Sequence, residues 1–408
     1  MRMTTIIITL AIFGLIDLYV YKGLSGLTMG FQNTPRLAIA ITYWLISVFT
    51  LVLLIYGITY RHSFSSMSTL NVIIGIFITL LIPKIIFLFF HGIDDLYNLA
   101  GLAVNRLTSE TDYSRRHFIS KAGLLVSGFM LGSMVYGIVW GKFRFRVIRK
   151  DISSPNIPRS FDGVRIVQIS DAHLGSFGRR FDPVKKAVAM INQLAPDFVF
   201  FTGDMVNNHA EEAVPWVDIF KGIESGSGKF SVFGNHDYAD YGSFSEEERH
   251  SSVQKLKDIH QQMGFKLLED ENVKLSRNGE SITLIGVHNW GKGFHQVGNL
   301  NKALKDTDPD DFQILLSHDP THFEEQVKHK TKIDLTLSGH THGMQMGIEI
   351  PSLGIKWSPV KFRYPRWAGL YQENNQRIYI NRGFGVLAFP GRVGMSPEIT
   401  LLTLRSEE

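Results

Sequence analysis

Residues 164–173 read Val-Arg-Ile-Val-Gln-Ile-Ser-Asp-Ala-His, an apolar run that ends in ionisable side chains. A run this short and this rich in Val and Ile is typical of a buried strand. Similar runs follow at 198–202, 230–233, 282–287, 312–317 and 333–338. Amphipathic stretches of helix length, such as 182–194 and 246–263, separate several of them. This alternation predicts an α/β fold with a buried sheet. Two later strands, 377–381 and 399–404, have little helix between them and predict a second, partly antiparallel sheet.

Polar clusters follow five of these strands at the point where each strand ends. They are Asp171-Ala172-His173, Gly203-Asp204, Gly234-Asn235-His236-Asp237, His318-Asp319 and Gly339-His340-Thr341-His342-Gly343. Ligands of open α/β sheets bind outside the carboxyl ends of the strands, so we expect the clusters to converge. Six other histidines lie away from the strand ends and are expected at the surface: His209, His250, His260, His295, His322 and His329.

The converging side chains offer carboxylate, imidazole and amide ligands and no sulfur. The candidate metal ligands are Asp171, His173, Asp204, Asn235, His318, His340 and His342. Such a set suits Mn²⁺, Fe or Zn²⁺, with Mn²⁺ favoured. The number of candidate ligands exceeds what one ion needs, so the set predicts two divalent ions about 3.5–4 Å apart. The chain has no cysteine, which excludes thiolate zinc sites, Cys nucleophiles and disulfides.

Together these clusters resemble the calcineurin-like metallophosphoesterase family over about residues 160–405. The match is to the membrane-tethered bacterial branch, which the segments 382–385 (Arg-Gly-Phe-Gly) and 397–399 (Pro-Glu-Ile) also resemble. The resemblance implies a four-layer αββα sandwich. Two departures, Met205-Val206-Asn207 after Gly-Asp and Gly343-Met344 after the last histidine, leave the pocket wall and the substrate open.

The resemblance also implies a role for each residue. One metal would be held by Asp171, His173, Asp204 and His342, and the other by Asp204, Asn235, His318 and His340. Asp204 would then bridge the two ions, and a hydroxide between them would attack phosphorus. His236 would face the phosphate as general acid or charge stabiliser, oriented by Asp237.

The first third of the chain has a different composition. Apolar stretches at 5–21, 37–60, 70–90 and 118–140 predict a bundle of about four transmembrane helices, the first of marginal length. A linker is expected at 141–163 and the catalytic domain at 164–408. Lys84 in the third stretch is expected to face the bundle interior or to snorkel. Basic residues are in excess in residues 1–150 and acidic residues in the rest, so the soluble part has no basic face for nucleic acid.

The membrane orientation has two conflicting signals. Ser-Arg-Arg-His-Phe-Ile-Ser-Lys at 114–121 resembles a twin-arginine export signal, which favours a bacterial inner-membrane protein with an extracytoplasmic catalytic domain. A slight excess of Lys and Arg at the helix ends on the catalytic side favours the cytoplasmic face instead.

The sequence predicts a membrane-anchored, metal-dependent phosphodiesterase or pyrophosphatase. The alternative is a retired binding or sensor protein on the same scaffold, which the intact set of ligands disfavours. The substrate is expected to be a phosphate ester, with a lipid-linked one such as the lipid A precursor UDP-2,3-diacylglucosamine as the named candidate. The aromatic and basic loop at 355–367 suggests lipid contact through Trp357, Phe362 and Trp367, with Arg363 or Arg366 on a phosphate.

Overall fold

The computed structural model describes residues 3–59, 67–103 and 113–407. The chain divides into two units, Met1–Tyr136 and Gly137–Glu408. Each unit is described by itself.

The N-terminal part contains four long helices that match the four predicted apolar stretches. They are α1 Met3–Leu27, α2 Asn33–Thr59, α3 Met67–Ala103 and α4 Tyr113–Val139. All four are long and apolar enough to cross a membrane, so the prediction of four transmembrane helices is confirmed. Tyr60, the last residue of the second predicted stretch, lies outside the described residues.

Lys84 faces the interior of this helical unit, which is one of the two positions expected for it. Its ammonium group lies 2.6 Å from a carboxylate oxygen of Asp17 and 2.9 Å from the hydroxyl of Ser47. The hydroxyl of Tyr43 also donates to Asp17, at 2.8 Å. The buried lysine is therefore compensated by an ion pair and hydrogen bonds, which such a charge requires in an apolar surrounding.

The two arginines of the twin-arginine-like segment are both paired with α3. Arg115 donates to Asp94 at 3.0 Å, and Arg116 donates to Asp95 at 3.1 Å. These ion pairs join the start of α4 to the last turns of α3. The segment therefore has a structural role in this unit.

The second unit, Gly137–Glu408, contains the predicted catalytic domain and is called the catalytic unit below. It contains two six-stranded sheets. The strands of the first are β1 Arg146–Ser154, β2 Arg165–Ile169, β3 Phe198–Thr202, β4 Gly228–Val232, β5 Lys266–Leu267 and β14 Glu398–Ser406. Their order across the sheet is β1-β14-β2-β3-β4-β5. Strands β2 to β5 run parallel, and β14 is antiparallel to β2.

The second sheet has a parallel centre and antiparallel edges. Its strands are β6 Glu271–Arg277, β7 Glu280–Gly286, β8 Gln313–Leu316, β9 Leu335–Ser338, β12 Gly369–Glu373 and β13 Gln376–Ile380. Their order is β12-β13-β9-β8-β7-β6. A separate hairpin pairs β10 Ile348–Ile350 with β11 Ile355–Trp357.

Apolar side chains hold these sheets in four layers. The outer face of the first sheet is covered by three helices, α5 Phe181–Gln193, α6 Val217–Lys221 and α7 Glu246–Gln262. Ile191 of α5 and Phe201 of β3 belong to the apolar core at this face. Phe200, Ile314 and Leu337 belong to the core between the sheets. The short helix α8 Leu300–Ala303 and the turn at Phe323–Val327 cover the second sheet. The αββα sandwich is confirmed.

Residues 146–154 correct the predicted linker. They form β1, which pairs along its whole length with β14. Ile152 is buried in the core, whereas the charged residues of the strand remain at the surface. The strand lies at the sheet edge and carries many charged residues, so its sequence lacks the clear alternation that identifies a half-buried strand.

Candidate metal centre

The five polar clusters meet at one edge of the two sheets, as their positions after β2, β3, β4, β8 and β9 predict. Two groups of side chains lie close enough to hold an ion: Asp171, His173 and His342, and Asp204, His318 and His340. Glycines make this convergence possible. A Cβ on Gly339 would lie 2.2 Å from the carboxylate of Asp171, and one on Gly234 would lie 2.2 Å from that of Asp204.

The first group is compact and buried. Nε2 of His342 lies 3.2 Å from Oδ1 of Asp171 and 3.1 Å from Nε2 of His173. These separations are what ligand atoms have when each lies about 2.0–2.2 Å from a shared ion. The three side chains therefore fit one divalent cation.

The second group has the same spacing and includes the predicted amide. Nε2 of His318 lies 3.1 Å from Oδ2 of Asp204. Nδ1 of His340 lies 2.9 Å from Oδ1 of Asn235 and 3.3 Å from Nε2 of His318. Asn235 thus completes a set of one carboxylate, one amide and two imidazoles.

Asp204 lies between the two groups. Its Oδ2 is 3.1 Å from His318 of the second group and 3.6 Å from Nε2 of His173 in the first. Its Oδ1 accepts the backbone N–H of His236 at 2.8 Å, which fixes the rotation of the carboxylate. This is the position that a carboxylate shared by two ions requires.

Hydrogen bonds fix which ring nitrogen of the histidines faces the centre. Nδ1 of His173 lies 3.1 Å from the carbonyl of Val206, and Nδ1 of His318 lies 2.7 Å from that of Thr202. A ring N–H donating to a carbonyl leaves Nε2 as a lone-pair ligand. His340 is reversed: its Nε2 meets the hydroxyl of Tyr364 at 2.9 Å, and its Nδ1 faces Asn235.

The electrostatics of the centre match a site built for cations. Burial alone would raise the pKa of Asp204, but His318 and His236 outweigh burial and hold that pKa well below its usual range. Burial lowers the pKa of His173 well below its usual value, so this imidazole is neutral. Burial opposes a charge on His318, yet Asp204 outweighs it and raises the pKa of His318 to about 10. The carboxylates thus draw positive charge into the centre, as a proton on His318 or as a metal ion in its place.

His236 lies beside the centre without belonging to either group. Its Nδ1 contacts the carbonyl of Asn207 at 2.6 Å, and its ring stacks on Tyr241 with centroids 4.2 Å apart. Burial lowers the pKa of this imidazole.

Asp237 has a different role from the one expected. Its carboxylate accepts backbone N–H groups of Gly234, Asp204 and Met205 at 2.8–2.9 Å. The orientation of His236 comes from Asn207 and Tyr241 instead. Asp237 ties the turn after β4 to the turn after β3, and so holds Asn235 and Asp204 in place.

Sequence reasoning missed an outer ring of residues around the metal ligands. Phe294 packs edge-on against His340 with centroids 4.6 Å apart, and Oδ2 of Asp319 lies 3.4 Å from Nε2 of the same histidine. Arg392 is buried, and its Nη2 lies 3.5 Å from Nδ1 of His342. Asp319 follows a ligand candidate directly and was detectable. Phe294 and Arg392 lie in loops with no motif, so only the fold brings them here.

The loop at 355–367 reaches the centre, but which of its side chains are exposed and which are buried or paired differs in part from the prediction. Tyr364 contacts His340, as described above. Trp367 is only 5% exposed and packs in a small core, so its predicted lipid contact is wrong. Arg366 is paired with Glu324 and Glu373 and is not available for a phosphate. Phe362 and Trp357 are exposed, as predicted.

Two of the histidines expected at the surface are buried. His260 lies among aromatic side chains of the first sheet, and His322 lies beneath Trp290. Each bonds a buried serine hydroxyl through Nδ1, at 2.8 Å. They lie outside both metal groups.

Comparison with known proteins agrees with this geometry. Residues 1–142 match the family model described as "Probable Calcineurin-like phosphoesterase, transmembrane domain", and residues 164–344 match "Calcineurin-like phosphoesterase". The chain is 30% identical over 302 residues to "Uncharacterized metallophosphoesterase YkuE" of Bacillus subtilis (strain 168), covering 72% of this chain and 98% of that protein.

The names of two animal relatives mention both a transmembrane protein and a metallophosphoesterase domain. "Transmembrane protein with metallophosphoesterase domain" of Bos taurus is 27% identical over 328 residues, covering 77% of this chain and 69% of that protein. The Danio rerio protein of the same name is 26% identical over 280 residues, covering 66% of this chain and 60% of its own length.

The two ligand groups on an αββα sandwich define a metal-dependent phosphoester hydrolase. The chain belongs to the calcineurin-like phosphoesterase family, in a form joined to four transmembrane helices.

Proposed function

We propose that this protein is a two-metal phosphodiesterase or pyrophosphatase that acts on a lipid-linked phosphate ester. One ion would be held by Asp171, His173, Asp204 and His342, and the other by Asp204, Asn235, His318 and His340. The observation that carries the proposal is the position of Asp204, whose Oδ2 lies 3.1 Å from His318 and 3.6 Å from His173. A single carboxylate in reach of both groups is what a two-ion centre needs.

Bound ions would supply Lewis acidity and neutralise the charge that develops on the phosphoryl oxygens. The protein's own contribution is positional. Hydrogen bonds to Val206 and Thr202 aim Nε2 of His173 and His318 into the centre. Nδ1 of His236 donates to the carbonyl of Asn207, so the neutral ring presents a lone pair at Nε2. Asp204 favours the imidazolium form against burial, and in that form Nε2 of His236 would hold a proton beside the substrate. It would give that proton to the leaving oxygen or stabilise its charge.

Manganese is the ion we favour, since oxygen and nitrogen ligands without sulfur suit it. Purified full-length protein loaded with Mn²⁺, Fe²⁺ or Zn²⁺ in turn would be assayed against a phosphodiester, a phosphomonoester and a lipid pyrophosphate. We expect hydrolysis of the diester and pyrophosphate, and its loss after chelation. Hydrolysis that survives thorough chelation would contradict the two-ion mechanism, and preference for the monoester would contradict the substrate class.

The proposal of a lipid-linked substrate is supported by the contacts of Arg392, which links the metal centre to the last turn of α4. Nη2 of Arg392 lies 3.5 Å from His342, and the backbone N–H of Arg392 donates to the carbonyl of Gly137 at 3.1 Å. Gly137 belongs to the last turn of a helix long enough to span a membrane. This short path from the centre to α4 supports a substrate whose phosphate belongs to a lipid head group. UDP-2,3-diacylglucosamine is a candidate of this class.

We also propose that the catalytic unit faces the cytoplasm, in place of the extracytoplasmic orientation that the twin-arginine-like segment favours. Arg115 and Arg116 are paired with Asp94 and Asp95, which gives them a structural role that does not depend on export. The slight excess of basic residues at the helix ends on the catalytic side supports the cytoplasmic orientation. A C-terminal alkaline phosphatase fusion should be inactive and a C-terminal fluorescent fusion active; the reverse pattern would contradict the cytoplasmic orientation and leave the metal chemistry untouched.

A further inference from the structure

The segment after the last metal-ligand candidate concentrates exposed apolar side chains. Seven of its large hydrophobic residues are between 38% and 80% exposed: Met344, Ile348, Ile350, Leu353, Ile355, Trp357 and Phe362. In the rest of 141–407, such exposure is found at Val214, Tyr241 and Val297, which are scattered along the chain. A contiguous exposed apolar patch marks an interaction site.

The hairpin β10–β11 has one fully apolar face. Ile348 pairs with Trp357, and Ile350 pairs with Ile355. Because residues alternate between the faces of a strand, these four side chains share one face. Leu353, in the turn between the strands, is 68% exposed and extends the patch to the hairpin tip.

The other face of the hairpin is fixed to the catalytic unit. Glu349 forms an ion pair with Arg382, which also pairs with the buried Glu398. Lys356, opposite Glu349, donates to the carbonyl of Ala368 and lies 4.8 Å from the ring centroid of Trp367. The polar contacts therefore determine which face is presented outward.

The base of the hairpin is tied to the end of α4. The N–H of Gly347 donates to the carbonyl of Val393 at 2.9 Å, and the next residue back, Arg392, donates to Gly137 at 3.1 Å. A Cβ on Gly391 would lie 2.8 Å from the backbone nitrogen of Ile138, so the two segments are in close contact. Residues 137–139 end a candidate membrane span. The apolar hairpin thus starts beside the last residues of a candidate membrane span.

Charge also favours a lipid surface as the occupant. Phe362 is 80% exposed and lies between the exposed Lys361 and Arg363, and the exposed Trp357 lies nearby in the chain. An exposed Trp with cations close to it is typical of segments that sit at membrane interfaces with anionic head groups. We propose that the hairpin at 348–357 and Phe362 insert into the bilayer interface, as a second membrane attachment beside the four helices. Tyr364, two residues after Phe362, contacts His340, so this attachment would position the metal centre at the lipid surface.

The absence of cysteine gives a direct test, because single cysteines can be introduced without removing any. Leu353→Cys and Phe362→Cys would carry a nitroxide label in the full-length protein, reconstituted in vesicles of phosphatidylcholine and phosphatidylglycerol. Val214→Cys and Val297→Cys, which replace residues that are 43% and 46% exposed, are matched controls. Power-saturation spectroscopy compares collisions with oxygen, which dissolves in lipid, and with a nickel chelate, which stays in water.

We expect the labels at 353 and 362 to collide mainly with oxygen and those at 214 and 297 mainly with nickel. Nickel accessibility at 353 and 362 equal to that of the controls would overturn the proposal. Low accessibility to both reagents would also overturn it, because it would mean that protein covers the patch. Dipolar broadening between labels would overturn it as well, because it would mean that a second copy of the chain covers the patch. Retained metal content in each labelled variant checks the fold. The readout does not depend on hydrolysis, so it fails or succeeds separately from the proposed function.

Discussion

Replacing Asp237 by Asn tests whether this carboxylate supports the metal centre through the backbone. Its Oδ2 accepts N–H groups of Gly234 and Asp204, and its Oδ1 accepts the N–H of Met205. An asparagine keeps one acceptor oxygen and turns an NH₂ group toward at least one of these donors. Burial and Asp204 raise the pKa of Asp237 to about 7, so above pH 7, where the carboxylate is ionised, one hydrogen bond to a charged group is lost and the remaining ones lose their charge assistance. Each such bond contributes about 1.5–3 kcal/mol, so we expect a loss of about 3 kcal/mol in the free energy of unfolding.

A loss of this size lowers the melting temperature of a unit this large by about 6–12 °C, at about 2–4 °C per kcal/mol. Because Asp204 and Asn235 lie on the two turns that Asp237 joins, the metal content should also fall below two ions per chain. The assay is thermal unfolding of the purified full-length protein, combined with elemental analysis of bound metal.

The matched control is Asp334→Asn. Asp334 is also buried, and its carboxylate accepts the N–H of Gln313 and the side-chain amide of Asn156, each at 2.8 Å. Asp334 lies before β9, at the end opposite the metal ligands, so its loss should lower the melting temperature and leave metal content unchanged. If Asp237→Asn instead keeps its melting temperature and both ions but loses activity, then Asp237 acts on His236 and the backbone role is refuted.

Three further predictions address the centre and the pH dependence of stability. Asp204→Asn should reduce the binding of both ions and abolish hydrolysis, and full occupancy of either ion with normal activity would contradict its shared position. His236→Ala should lower turnover by about 10²–10⁴-fold while both ions stay bound, and loss of metal would identify it as a ligand instead. Burial lowers the pKa of His260 to about 3, below its unfolded value near 6.5, so its contribution to stability is present above pH 6.5 and is lost as pH falls toward 3. Between pH 7 and pH 5, denaturant titrations should therefore show His260→Gln losing about 2 kcal/mol less unfolding free energy than the wild type.

The sequence predicted the sheets and the convergence of the ligand candidates because both depend on short-range patterns. Strand β3 is buried at all five positions, and a short run with four consecutive apolar residues, such as Phe198–Thr202, is typical of a buried strand. Each ligand candidate follows such a strand, so knowing the strand ends was enough to predict their convergence. Strand β1 was missed because Arg146–Ser154 lies at an edge, where charged residues hide the alternation.

The roles of Asp237, His260 and Trp367 could not be read from the sequence for a different reason. Each depends on which distant segment covers it. Asp237 meets backbone donors of the neighbouring turn, His260 is buried between α7 and the first sheet, and Trp367 packs beside Met395. A pattern of residue types states that a side chain is polar or aromatic. It does not state the partner that long-range packing provides.

Hydrogen bonds within the protein hold an unusual backbone conformation at the metal-ligand candidates. Five ligand candidates have a left-handed backbone: Asp171, His173, Asp204, His340 and His342, with φ between 42° and 70°. Each such residue costs about 1–3 kcal/mol, which the surrounding structure must offset. The ligand segments offset it by bonding to each other: the N–H of His173 donates to the carbonyl of Asp204 at 3.1 Å, and the N–H of His340 donates to the carboxylate of Asp171 at 3.0 Å. The ligands therefore form one hydrogen-bonded unit in which moving any turn moves the others. Positions with little freedom to adjust are what a two-ion phosphoester centre requires, because small changes in ligand position alter the separation of the ions.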